Sequence, residues 1–231
     1  MLRLVTIALV LCGTVLSLVG CGPWKRTNQD ADTGSQPNST SATAPVLTAP
    51  GTIPIAIRIP DIDVKASFID PSECCGLNLD ATIQVPDISN PKTAGANVKR
   101  AGWYRASPIP GDKADPTGEI GPTIILGHIN GDKQQGVFAK LSTLKTGESH
   151  HIYVDRSDGK TADFEVTLNS KVDKNDFPTK SVYGMTQDPE IRLISCGGRL
   201  DPQYNEGPAH HRYIDQIIVY GKLVSLQPTA A

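Results

Sequence analysis

The sequence predicts a mostly β domain, a closed or nearly closed barrel of about eight short strands with a few short helices. Three observations carry that prediction. Between positions 51 and 227 the apolar residues come in short runs that either alternate with polar ones or are continuous over a few residues. Turn-forming residues separate the runs, in a chain with 21 Gly and 18 Pro among 231 residues. Helical spacing is confined to two short stretches, VFAKLSTL at 137–144 and, more weakly, SVYGMT at 181–186.

Taken in order, IPIAIRIP (53–60) places Ile53, Ile55, Ile57 and Ile59 on one side of a first strand. VKASFI (64–69) and TIQVP (82–86) are two further short strands. PTIILGH (122–128) is apolar without alternation, the pattern of a strand buried on both faces. ESHHIYVD (148–155) and DFEVTLNSKVD (163–173) flank RSDG at 156–159, a hairpin signal. EIRLISC (190–196) and DQIIVYGKLV (215–224) complete the set.

The barrel does not fill the chain. Residues 1–21 begin with Arg3 and continue as an almost unbroken apolar run from Leu4 to Val19, a targeting segment. The run ends in LVGC, which resembles the lipobox of bacterial lipoproteins and makes Cys21 a lipidation candidate. The same run is near the lower limit for spanning a bilayer, so an uncleaved signal anchor also fits. Either way the protein is tethered to the outer face of a membrane. Residues 22–50 are rich in Ser, Thr, Asn, Pro and Ala and cannot bury enough surface to offset ordering entropy; they read as a flexible tether. Residues 51–227 form the folded domain and 228–231 a tail.

Charge excludes one broad class. Lys+Arg number 22 against Asp+Glu 24, so no basic excess points to nucleic acid. No cofactor is expected, and no His, Asp or Glu spacing suggests a metal site; the acidic GDKADPTGE stretch (111–119) reads as a solvated loop.

The cysteines are more informative. In an oxidising exterior, Cys74, Cys75 and Cys196 leave one thiol unpaired however they combine. Cys74 and Cys75 sit in the loop PSECCGL, either as incidental thiols or as a disulfide. Cys196 ends a strand in RLISCGG (192–198). A free thiol, with a pKa of about 8.5, is mostly protonated at neutral pH and needs a partner to become a nucleophile. Of five histidines, His150 and His151 follow a charged turn and read as surface, and His210 and His211 lie in the PAHHRY loop. His128 stands at the mouth of the buried strand TIILG, where barrels build sites.

GHIN (127–130), RLISCGG and a following arginine ahead of an apolar strand resemble a sortase, the cell-wall cysteine transpeptidase of Gram-positive bacteria. RIPDIDVKA (58–66), GLNLDATIQVP (76–86), AGWYRASPIPGD (101–112), GVFAKL (136–141), FPTKSVYG (177–184), LISCGGRLD (193–201) and DQIIVYGKL (215–223) are most similar to the class F sortases of actinobacteria. The match is collinear from about residue 53 to 224.

The resemblance implies a sortase-type β-barrel with a His–Cys–Arg site. His128 matches the motif histidine and Cys196 the nucleophile. Arg212, in HHRYIDQIIVY, is the natural arginine; Arg199, just after CGG, is the fallback, otherwise a surface residue paired with Asp201. Gly197 and Gly198 are given to the clearance of a substrate backbone. The implied reaction cleaves an LPXTG-like sorting signal through a Cys196 thioester and passes the acyl group to an amine, from a peptidoglycan cross-bridge or a pilin lysine. Two other functions stay open: a non-catalytic lipoprotein that keeps the fold for binding, and a cysteine endopeptidase that only hydrolyses.

Overall fold

A computed structural model describes residues 51–75, 85–115, 117–131, 133–202 and 213–230, all within one compact unit, Thr48–Ala231. The leader with Cys21 and the tether lie outside the described residues. No helix among the described residues is long and apolar enough to cross a membrane.

The chain opens with β1 (Pro54–Ile59) and β2 (Val64–Ser67), then the one-turn helix α1 (Ala94–Asn97). β3 (Gly102–Trp103) and β4 (Thr123–Leu126) follow, with a small ribbon of β5 (Asn130–Gly131) and β6 (Gln134–Gln135). β7 (His151–Arg156) and β8 (Lys160–Asp173) form the expected hairpin, with Gly159 at φ 75° in its turn. After α2 (Thr179–Tyr183) come the two long strands β9 (Glu190–Leu200) and β10 (Tyr213–Pro228).

Eight of these strands form one sheet in the order β2-β1-β7-β8-β10-β9-β4-β3. Its two edges meet: the Ala101 amide donates to the Ser67 carbonyl at 3.1 Å, and the Ile69 amide to the Ala101 carbonyl at 2.9 Å. The sheet is thereby curled into the mostly β, barrel-like fold that the sequence predicts. Its paired strands are antiparallel except β4, which runs parallel to β9.

Two cores sit on opposite faces of the sheet. The interior holds Ile57, Ile59, Ile125, Phe138, Leu141, Phe164, Leu193, Ile217 and Val219. Full burial of each such side chain contributes roughly 1.5–3 kcal/mol. A smaller outer cluster packs Ile124, Leu126, Ile194 and Ile218 under Val182 of α2. β4 feeds both, which explains why its apolar Ile124, Ile125 and Leu126 run without alternation: all four of its residues are buried.

Three expectations change. Ile55 is 49 % exposed rather than in line with Ile57 and Ile59, because a bulge between Pro54 and Ala56 breaks the alternation. Residues 137–144 form turns and a 3-10 turn at Leu141–Thr143, not a helix. The amides of Val137 and Phe138 donate to the carbonyls of Val98 and His128 (both 2.9 Å), so the helical spacing of apolar residues is met without helical hydrogen bonds. The strand expected at 82–86 falls mostly outside the described residues; its last two, Val85 and Pro86, are not in a strand.

Candidate active site

The parallel pair β4–β9 places the two residues of most interest. Thr123 lies opposite Ile191, Ile124 opposite Arg192, Ile125 opposite Leu193 and Leu126 opposite Ile194. The Gly127 amide continues the ladder by donating to the Ile194 carbonyl at 3.1 Å. Every pair is offset by the same number of positions (194 − 126 = 68), which is also the separation of His128 and Cys196 (196 − 128 = 68). Cys196 lies within β9, which runs on to Leu200, and His128 follows β4 by two residues, so the same offset of 68 positions relates the two. Alternation fixes the face. Cys196 follows Arg192 and Ile194 on the outer side, while Ile191 and Leu193 point into the barrel.

Cys196 is half-buried and is a free cysteine. Its partner across β10 is Gln216. His128 is also half-buried, and its Nε2 lies 2.6 Å from the Pro86 carbonyl oxygen. A carbonyl can only accept, so Nε2 carries the hydrogen and Nδ1 is the nitrogen left for proton exchange. Nearby, the Asp87 carboxyl is held below its usual range, first by the amide and hydroxyl of Ser89 and more weakly by His128. Downstream, the Asn130 side-chain amide donates to the Tyr213 hydroxyl at 3.2 Å, tying the loop after His128 to the start of β10. On the same outer face, a cavity of about 430 Å³ opens beside Ile124, lined by Tyr104, Ile120, Tyr183 and the carboxylates Asp115 and Glu119.

Arg199 is committed elsewhere. Its Nε and Nη2 bind the Asp215 carboxylate at 3.0 and 2.6 Å, its own amide donates to the same group at 2.8 Å, and Nη2 reaches Asp173 at 2.8 Å. The contacts hold Asp215 at about 2 and raise Arg199 above its ordinary value. Asp215 belongs with Ile217 and Val219 to the inward row of β10, the row opposite to that of Cys196. Arg212 and Cys21 lie outside the described residues.

The two glycines after Cys196 also differ from expectation. A Cβ on Gly197 would come within 2.6 Å of Ile217 Cγ1. Gly198 has φ 72°, and its Cβ would strike the Asp215 carboxylate. Both vacancies are filled by the protein's own packing rather than kept clear for a substrate. His150 is no solvated surface residue either: its side chain is 12 % exposed, with Nδ1 2.7 Å from Asp61. Cys74 and Cys75 form a vicinal disulfide with both residues buried.

Sequence reasoning missed Pro86, Asp215 and Tyr213. Pro86 acts through a backbone carbonyl, which leaves no residue-type signature. Asp215 did leave one, a carboxylate in the inward row of an apolar strand, and such a group calls for a cation.

A sortase domain family model matches residues 57–224, most of the chain, and the chain belongs to the sortase family. Known structures similar to it include sortase A of Listeria monocytogenes, at 17% identity over 78% of this chain and 91% of that one, with a TM-score of 0.44. Sortase C-1 of Actinomyces oris matches at 20% identity over 74% of this chain and 73% of that one, TM-score 0.47. Sortase C1 of pilus island 1 of Group B Streptococcus matches at 13% identity over 74% of this chain, which spans 64% of that protein, TM-score 0.47. No curated protein matches the chain.

Proposed function

We propose that this protein is a cysteine transpeptidase of the class F kind, tethered to the outer face of the membrane by a lipidated Cys21 or a signal anchor. It cleaves an LPXTG-like sorting signal and transfers the acyl group to an amine. The observation that supports the reading is the β4–β9 register, whose offset of 68 positions is also the separation of His128 from Cys196, the one free thiol among the described residues.

In this reading the Cys196 thiolate attacks the scissile carbonyl, and the tetrahedral oxyanion collapses to a thioester as the C–N bond breaks. His128, its Nε2–H engaged by Pro86, gives the leaving amine its proton from Nδ1. An incoming amine attacks the thioester, loses a proton to His128 and releases the Cys196 thiolate. Arg212 is assigned the oxyanion or the substrate backbone, through donors that stay charged. What favours it over Arg199 is that two of the three guanidinium nitrogens of Arg199 are already bound to carboxylates.

The test is turnover of an LPXTG-like peptide library by the full-length chain in detergent, with and without triglycine. A new amide with triglycine supports transpeptidation, and hydrolysis alone points to an endopeptidase. A protein that turns over no peptide while a thiol-directed vinyl sulfone labels Cys196 would be the non-catalytic binding lipoprotein. Labelling elsewhere, with Cys196 inert, removes the nucleophile from the reading.

A further inference from the structure

We propose that the Cys74–Cys75 disulfide is a positioning element for His128. This deepens the transpeptidase reading and rests on it for its catalytic consequence.

The chain of contacts is short. A Cβ on Gly102 would strike Cys75 Sγ and would lie 3.2 Å from Cys74 Sγ and 3.4 Å from Pro86 Cδ. Gly102 therefore exists as glycine so that both sulfurs and the Pro86 ring can pack over the same spot of β3. Pro86 is the residue whose carbonyl holds His128 Nε2. Gly102 is also the β3 partner of Leu126, two residues before His128. The disulfide and Pro86, whose carbonyl holds His128 Nε2, thus converge on the same spot of β3.

The pair is built in rather than incidental. Cys75 is fully buried, Cys74 is 6 % exposed, and together with Ile69 they form a cluster of their own. Cys75 has φ 74°, a region that L residues rarely adopt, and the covalent ring with Cys74 holds it there. The Cys75 carbonyl is closed off by the Arg105 amide at 3.4 Å. Ile69 in turn bonds to Ala101 where the barrel edges meet. Cys75 and Val85 are the described residues on either side of the segment 76–84, with Pro86 following Val85. The disulfide fixes the first end, so Pro86 just past the second has a firm surface to rest on. Without it, two separate side chains would share the cavity over Gly102 and the Pro86 carbonyl would have no fixed place.

The experiment uses the full-length chain in detergent and a C74S/C75S variant. Imidazole ¹⁵N NMR reports the tautomer of His128, assigned with a His128→Gln variant, and peptide turnover is measured well below the unfolding midpoint. The expected result is one Nε2–H tautomer in the oxidised protein and a mixture in C74S/C75S. kcat is expected to fall roughly 10- to 100-fold with KM little changed, the loss typical of a displaced catalytic group. If the variant does not fold, the native protein is reduced with a phosphine instead. The S–S bond then becomes two S–H groups and the phosphine becomes its oxide, with oxygen from water; reoxidation should return the original signal. An unchanged His128 signal after removal of the disulfide, or a mixture of tautomers before it, overturns the proposal. Should the oxidised protein turn over no peptide, the transpeptidase reading fails, while the NMR measurement still decides the role of the disulfide.

Discussion

The two faces of β9 are built from alternate residues of one strand and obey different rules. Inward, Ile191 and Leu193 are fully buried in the barrel core, and the row ends in packing against Ile217. Beyond it, Arg199 and Asp215 close the end of the barrel with an ion pair. Outward, Arg192 and Ile194 are also buried, but the row opens at Cys196, which is half-exposed. The inward row is held by apolar contact at Ile191 and Leu193 and by the ion pair at its far end. The outward row is covered up to Ile194 and half-exposed at Cys196. A single strand can do both because its side chains alternate, so stability and reactivity are carried by neighbouring residues with little mutual interference.

If that division holds, substitutions on the two faces separate. The largest effect is expected from Cys196→Ala and from His128→Ala, each lowering kcat/KM for peptide cleavage on the order of 10⁴-fold or more, with the thermal midpoint nearly unmoved. Activity that survives either change would break the comparison. Leu193→Ala, three residues before Cys196 but facing inward, should cost about 2–5 kcal/mol in denaturant unfolding and leave the labelling of Cys196 in the folded protein unchanged.

The ion pair gives a pH signature. With Asp215 held at about 2 in the folded chain and near 3.9 in the unfolded one, the unfolded chain takes up the proton first as acid is added. The stabilisation is present above about pH 4 and is lost as pH falls toward 2. Unfolding midpoints measured across that window should show the step in the native chain and lack it in Arg199→Ala, which also has a lower midpoint at neutral pH. A catalytic Arg199 would instead abolish turnover at full stability. The smallest effect is expected from Tyr213→Phe, which removes one exposed hydrogen bond to Asn130 and should lower kcat by no more than about tenfold.

Much of this was legible in the chain. The strand runs showed themselves because a buried β-strand demands apolar residues at fixed intervals, and β4 revealed its two-sided burial by its consecutive Ile124, Ile125 and Leu126. His128 and Cys196 stood out as polar residues ending apolar strands. The 137–144 stretch was misread because a buried turn and a helix can place apolar residues at the same spacing, and only the hydrogen bonds of Val137 and Phe138 tell them apart.

The sequence by itself determined the fold class and the family, and it singled out Cys196 and His128 as candidates. These depend on local patterns, and a local pattern is written in consecutive residues. The tertiary structure alone decided the partners: Pro86 for His128, Asp215 for Arg199, and Gly102 beneath the Cys74–Cys75 disulfide. Those contacts cross 42 positions for His128, 16 for Arg199 and 27 (102 − 75) for Cys75. They arise when strands remote in the chain are set side by side, and the register that does so is a property of the closed sheet rather than of any segment within it.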